Sequence, residues 1–121
     1  MATGLLNKVF GTKSDREVKS LYYTVEEINA IFETLGEKSD EELVARTREF
    51  QEMIRAAGSH AAGEVKEQGL SSDEVDKIAY EAEQAVLEEI LPEAFAMVKE
   101  TCRRLMGEQW KVVGQPITWD M

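Results

Sequence analysis

The sequence predicts a mostly α-helical fold, in which several amphipathic helices precede a short extended C-terminal tail. Two observations predict the helices. Ser14 and Ser39 are each followed three residues later by glutamate, which is a signature of a helix start, and apolar residues then recur every three or four positions. The tail is predicted from Val112, Val113 and Ile117 around Gly114 and Pro116, which suggest an extended segment that is either disordered or paired with another chain.

The first 20 residues form a basic amphipathic segment. Leu5, Leu6, Val9 and Phe10 recur at helical spacing between Gly4 and Gly11, which predicts a short helix with one apolar edge. Residues 1–20 hold four basic and two acidic residues, a net charge of +2. Because the whole chain has a net charge of −10, the remaining 101 residues have a net charge of −12. This end of the chain is therefore the one suited to anionic surfaces.

A long helix is predicted to follow. Ser14 and Glu17 have the spacing of a capping box, and Gly36 marks the end of the periodic stretch. The apolar positions of this helix are Val18, Leu21, Tyr22, Val25, Ile28, Phe32 and Leu35.

Ser39 and Glu42 repeat the capping pattern, which predicts a second helix that ends near Gly58. Its apolar face carries Leu43, Thr47, Phe50 and Ile54. Three glycines interrupt the stretch that follows, up to Gly69, so we interpret it as a short or frayed helix or a mobile linker.

Ser71 or Ser72 is predicted to cap a further helix, and Pro92 to start a new one in its first turn. The apolar face of that last helix is predicted to be Phe95, Val98, Cys102 and Leu105. Arg103, Arg104 and Gly107 suit its C-terminal end, because cations favour the helix dipole there and glycine favours the cap.

Composition excludes several classes of function. The chain has 121 residues, enough for one domain or part of one, and a net charge of −10 argues against nucleic acid as a partner. No apolar run approaches the length of a membrane helix, and the start lacks the features of a secretory signal. The single cysteine excludes an internal disulfide. We therefore expect a cytoplasmic protein.

No catalytic, cofactor-binding or metal-ligating residue is predicted. Gly11 to Ser14 does not have the spacing of a phosphate-binding loop, and Asp73 to Asp76 is more typical of a helix start than of a magnesium site. His60 is expected to be exposed, and Cys102 to be a buried, inert thiol.

Three segments in this order resemble a known family: Leu5 to Arg16 (LLNKVFGTKSDR), Leu35 to Leu43 (LGEKSDEEL) and Ile90 to Met106 (ILPEAFAMVKETCRRLM). They are similar to the opening stretch of SecA, the ATPase motor that pushes preproteins through the bacterial Sec channel. The resemblance implies a truncated N-terminal part of a larger P-loop ATPase domain. It divides the chain into the basic segment 1–20, a helical region 14–107 with an atypical acidic insertion at about 57–86, and a tail 108–121 that leads toward nucleotide-binding motifs beyond the end of this sequence.

The resemblance also implies partners. The parent protein would bind ATP and magnesium, its partners would be the SecYEG channel, preproteins and acidic phospholipids, and it would associate peripherally with the inner face of the cell membrane. This fragment lacks the nucleotide-binding motifs, so we expect it to be inactive alone, and the sequence leaves a homo-oligomer open. The residues expected to contact membrane or channel are Leu5, Leu6, Lys8, Val9, Phe10 and Lys13.

Two alternatives stay open at this point. The apolar edge of the N-terminal segment could pack on the helices that follow it instead of entering a membrane. The whole chain could be a freestanding acidic helical adaptor, without ATPase activity, whose SecA-like segments serve another partner.

Overall fold

Helix α3 (Ser72–Leu105) is the central element, and helices α1 (Lys13–Leu35) and α2 (Asp40–Val65) each pack along it rather than along each other. Two short strands, β1 (Gln109–Val112) and β2 (Gln115–Thr118), follow as an antiparallel hairpin. This computed structural model describes residues 13–120, with the side chains from residue 14 onward. The predicted mostly helical fold with a short extended tail is confirmed. The predicted helix between Gly4 and Gly11 lies outside the described residues.

Helix α1 confirms the predicted long helix and its end at Leu35, just before Gly36. Ser14 lies inside the helix, however, so its prediction as the capping residue is wrong. The helix is already formed at Lys13, a residue of good helix propensity, and Asp15 supplies the negative charge that the first turn favours.

Helix α2 begins as predicted. The backbone N–H of Glu42 donates to the Ser39 hydroxyl at 3.2 Å, and the Ser39 N–H donates to the Glu42 carboxylate at 2.6 Å. The predicted end near Gly58 is wrong, because the helix continues to Val65. Gly58 is buried against α3, where an added Cβ would lie 2.9 Å from Glu83 Cγ. This glycine provides a close helix contact instead of a helix end.

Helix α3 starts at the Ser71 cap, whose hydroxyl accepts from the Glu74 N–H at 3.4 Å. It then runs without a break through Pro92, so the predicted new start at this residue is wrong. A proline inside a helix costs about 3 kcal/mol, through a lost hydrogen bond and a steric clash. Packing on both sides offsets this cost, since Ile90 and Ala96 are buried against the neighbouring helices.

The buried face of α3 differs from the predicted one. Phe95 is 58% and Val98 62% exposed, whereas Cys102 and Leu105 are half-buried. The side chains that face the core are instead Ile90, Ala96, Met97 and Glu100. Helix α3 has apolar residues on two faces. The face that carries Glu100 is turned toward the core, because the charge of Glu100 has partners of opposite charge.

Glu100 is 1% exposed and lies where three helix ends meet. Arg103 donates to its carboxylate at 2.8 and 2.7 Å, and Arg104 at 2.7 Å. These arginines hold the pKa of Glu100 at about 2, below its ordinary 4.5, despite the opposing effect of burial.

Arg104 joins this cluster to the other two helices. Its guanidinium donates to the carbonyls of Leu35 at 3.1 Å and Lys38 at 2.6 Å, and to the Asp40 carboxylate at 2.5 Å. It therefore satisfies backbone carbonyls at the end of α1, which otherwise have no partner within the helix. The end of α1, the start of α2 and the last turn of α3 are held by one side chain.

The tail is extended, as predicted, but it pairs with itself. Val112 lies opposite Gln115, and the turn between them has positive φ at both Val113 (50°) and Gly114 (78°), as in a type I′ hairpin. Hydrogen-bonded and non-hydrogen-bonded pairs alternate along an antiparallel ladder. Pro116 lies opposite Lys111 in a non-hydrogen-bonded pair, so its missing N–H costs the ladder no hydrogen bond.

None of the helices within residues 13–120 combines the length and the apolar character needed to cross a membrane.

We predict that replacing Glu100 with glutamine lowers the free energy of unfolding by about 3 kcal/mol at neutral pH, because two guanidinium groups lose their buried carboxylate. The folded pKa of Glu100 lies below the unfolded one, so its stabilising contribution is present above pH 4.5 and is lost as the pH falls toward 2. Urea unfolding of both proteins across this pH range is the measurement. A stability difference that stays constant down to pH 2 would contradict the prediction.

We also predict that Val113→Asn stabilises the hairpin by about 1 kcal/mol, because a β-branched residue is strained at positive φ and asparagine is not. Hydrogen exchange at the Val112 and Gln115 amides measures the effect. Val113→Thr is the control, since it adds polarity but keeps the branched side chain. Equal protection in both variants would show that polarity alone is responsible.

Candidate functional site

An apolar groove runs along α2 and α3. Its volume is about 460 Å³. The residues that line it are Leu43, Val44, Thr47, Phe50, Ala94, Met97, Val98, Thr101, Cys102, Leu105 and Trp119.

The floor of the groove is buried and its rims are exposed. Leu43, Phe50 and Met97 form the floor and belong to the hydrophobic core, whereas Val44 on one rim is 50% exposed and Val98 on the other is 62% exposed. A surface of this kind, apolar and open along its length, fits a protein segment better than a small polar ligand.

The two threonines of the groove use their hydroxyl protons within their own helices. The Thr47 hydroxyl donates to the Leu43 carbonyl at 3.0 Å, and the Thr101 hydroxyl donates to the Met97 carbonyl at 2.8 Å. Each hydrogen bond is made within the residue's own helix. Both hydroxyl protons are therefore engaged, and only the hydroxyl oxygens remain as hydrogen-bond acceptors.

Trp119 lines the groove where the hairpin returns to the helices. Its backbone N–H donates to the Glu108 carbonyl at 2.9 Å, and its backbone carbonyl accepts from the Gly107 N–H at 3.0 Å. The indole packs edge-on against Trp110, with the ring centroids 5.6 Å apart. The Trp119 Nε1 is buried and has no hydrogen-bond partner among residues 14–120. The hairpin thus places the exit of the described chain, at Asp120, beside the groove.

Arg46 and Glu93 fasten α2 to α3 next to the groove. Two nitrogens of Arg46 donate to the two Glu93 oxygens at 2.7 Å each, and the guanidinium carbon lies 4.6 Å above the Phe50 ring. The hydrogen bonds from Arg46 lower the pKa of Glu93, and those with Glu93 and Glu49 raise the pKa of Arg46. This pair is an ion-pair bridge between the two helices that form the groove.

The residues predicted from sequence to contact membrane or channel are not tested by this geometry. Leu5, Leu6, Lys8, Val9 and Phe10 lie outside the described residues, and Lys13 is described by its backbone alone. These six residues therefore stay a prediction. Arg16 and Lys19, in the same basic segment, are exposed on α1.

The acidic run at Asp73 and the exposed His60 are confirmed, whereas the predicted burial of Cys102 is wrong. Asp73 and Glu74 are in the first turn of α3, and hydrogen bonds with Ser71 lower the pKa of Glu74. His60 is 75% exposed and lies 3.6 Å from Glu64. Cys102 is half-buried in the groove instead of fully buried. Within residues 13–120, no group of three or more His, Cys, Asp and Glu side chains could hold a metal ion.

Sequence reasoning missed the groove, although its signal was present. The periodic spacing predicts Phe95, Val98, Cys102 and Leu105 as the core face of their helix. A second periodic set, built on Ile90 and Met97, already supplies that core. Two apolar stripes on one helix indicate that a second surface must be covered.

A family model described as the SecA DEAD-like domain matches residues 6–115. The curated relatives include a "Protein translocase subunit SecA" from Prosthecochloris aestuarii, which is 39% identical over 97% of this chain, and one from Chlorobium phaeobacteroides, which is 34% identical over 97%. A third, from Salinibacter ruber, is 36% identical over 96%. The chain belongs to the SecA family.

Two facts define the extent of this similarity. The chain corresponds to an N-terminal SecA segment and spans 13% of the length of the curated relatives it matches. No solved structure matches the chain. The curated relatives are therefore much longer than this chain.

Proposed function

We propose that this chain is a scaffold segment of a SecA-type translocase, and that its groove is the surface on which the following nucleotide-binding domain docks. The observation that carries the proposal is the groove itself, whose exposed rims at Val44 and Val98 leave apolar surface open to solvent. Trp119 places the exit of the chain at the same surface, so the polypeptide that follows is delivered to it.

The activity that we propose belongs to the whole protein. By family resemblance, the parent couples ATP hydrolysis to the export of preproteins through the SecYEG channel, with ATP and magnesium held by motifs beyond residue 121. It works in the cytoplasm and on the inner face of the cell membrane. The contribution of this segment is structural, because the Glu100 cluster and the Arg46–Glu93 pair hold its helices in one arrangement.

A second part of the proposal concerns attachment. Leu5, Leu6, Val9 and Phe10 enter the membrane interface or contact the channel, while Lys8 and Lys13 meet acidic lipid headgroups. The support is the sequence pattern, an apolar edge beside basic residues in a chain that is otherwise strongly acidic.

The groove is tested by Val98→Lys. We predict that this change alters the free energy of unfolding of the 121-residue chain by less than about 0.5 kcal/mol, because Val98 is exposed there. In the full-length protein, where the side chain would be covered, we expect a loss of about 2 kcal/mol and reduced ATPase activity. Thermal unfolding of both lengths and ATP turnover of the longer one are the measurements.

The matched control for the groove is Leu87→Lys. Leu87 is 39% exposed on the same helix but does not line the groove. It should leave the full-length protein unaffected. Equal effects of Val98→Lys on the two lengths would contradict docking at the groove and favour the freestanding adaptor.

Attachment is tested with vesicles. We predict that the chain binds anionic vesicles weakly, that salt reduces the binding as the Debye length shortens, and that Phe10→Glu reduces it by placing a charge on the apolar edge. Vesicle sedimentation measures this. Phe95→Glu is the control, since Phe95 is 58% exposed elsewhere on the molecule. Equal binding to neutral and anionic lipid would contradict the proposal.

A further inference from the structure

Helix α1 carries an apolar stripe that the described residues cover along only half of its length. In the C-terminal half of the helix, Ile28, Phe32 and Leu35 pack against the core. The same spacing of three and four residues continues through the N-terminal half, where the side chains are exposed. The exposed stripe consists of Val18 (46% exposed), Leu21 (61%), Tyr22 (63%) and Val25 (48%).

A contact with α3 marks the point where the covered half of the stripe ends. Lys99 Nζ donates to Asn29 Oδ1 at 2.6 Å and lies 4.2 Å from the centre of the Phe32 ring. Val25 and Tyr22 come four and seven residues before Asn29, so they lie on the same side of α1. The exposed stripe therefore begins one helical turn beyond this contact and continues toward the start of the helix.

The polypeptide joined to that end of α1 has a matching apolar edge. Residues 1–12 lie outside the described residues, and their sequence repeats apolar side chains at Leu5, Leu6, Val9 and Phe10. An extended chain spans about 3.3 Å per residue, whereas a helix rises only about 1.5 Å per residue. Counted from Lys13, Phe10 can therefore reach as far back along α1 as Val18, and Leu5 as far as Val25. Gly11 suits the reversal of direction that this requires.

Charge and connectivity both favour this occupant over an anionic membrane. Residues 1–12 contain one basic residue, Lys8, and no acidic residue, whereas α1 contains three basic and five acidic residues. Glu26 and Glu27 directly follow the stripe, and both would be repelled by acidic headgroups. A short covalent link also holds the segment near the stripe at an effective concentration on the order of millimolar.

We propose that Leu5, Leu6, Val9 and Phe10 fold back onto the exposed stripe of α1 of the same chain and are stored there when no membrane is present. The inference rests on the proposed attachment to membranes, because the same four side chains enter the lipid interface. They cannot contact the stripe and the lipid at once. The stripe therefore lowers the affinity of the chain for lipid, and lipid draws the segment away from the stripe.

Hydrogen exchange of the 121-residue chain without lipid tests the docking. An isolated segment of this length is marginally helical in water, so its amides are protected only when it is packed. We expect the amides of residues 5–10 to exchange at least about tenfold more slowly in the wild type than in Tyr22→Asp. Tyr23→Asp is the matched control and should retain the protection, because Tyr23 is 75% exposed and lies outside the stripe. Equal exchange in all three proteins would overturn the proposal.

Sedimentation with anionic vesicles tests the competition with lipid. If about 90% of the molecules are docked, Tyr22→Asp raises the apparent affinity for the vesicles about tenfold, because every molecule is then free to bind. Tyr23→Asp adds the same negative charge without emptying the stripe, so it should lower the affinity slightly. An affinity of Tyr22→Asp equal to or below that of Tyr23→Asp would overturn the proposal. Urea unfolding should give the same midpoint for both variants, since both tyrosines are exposed.

The docking and the attachment to membranes fail separately. If residues 5–10 are protected as expected but no variant binds vesicles, the docking holds and the proposed attachment is wrong. If the wild type binds vesicles but residues 5–10 exchange as fast as an unfolded peptide, the attachment holds and the docking is wrong. Protection that increases with protein concentration would also overturn the proposal, because the segment would then dock on another molecule.

Discussion

The buried carboxylate of Glu100 is the interaction on which the arrangement of the helices depends. A carboxylate that is 1% exposed is unfavourable unless it is paired and hydrogen-bonded, and here two arginines from its own helix supply the donors. Arg104 then has donors left for the carbonyls at the end of α1 and for Asp40. The same side chain therefore neutralises the buried charge on α3 and holds the ends of α1 and α2 in position.

This pairing also explains the presence of the groove. Because the face with Glu100 is turned toward α1 and α2, the face with Val98 and Cys102 is left outward. A helix with a single apolar stripe would bury that stripe against its neighbours and expose no apolar surface. The stripe with Val98 and Cys102 is exposed because the ion pairs of Glu100 turn the other stripe inward.

Local sequence signals predicted most of the fold, and long-range contacts account for what they missed. The caps at Ser39 and Ser71 are short-range hydrogen bonds, so they could be read directly from the sequence. Gly58 and Pro92 are usually helix-ending residues, but here a contact with Glu83 and packing around Ile90 decide the outcome. The second apolar stripe of α3 is a sequence signal for the groove, but its other walls come from α2 and the hairpin, which are far from this stripe in sequence.

Beyond Ile54, α2 and the first part of α3 form an arm that contributes no fully buried large side chain to the core. Within the arm, Gly58 allows a close approach of Glu83, since a Cβ added at Gly58 would lie 2.9 Å from Glu83 Cγ. Since the Glu100 cluster and the groove lie at the other end, whole turns could be added to or removed from both helices of the arm without disturbing either. The length of this arm is thus free to vary in evolution, whereas the end with three meeting helix termini is not.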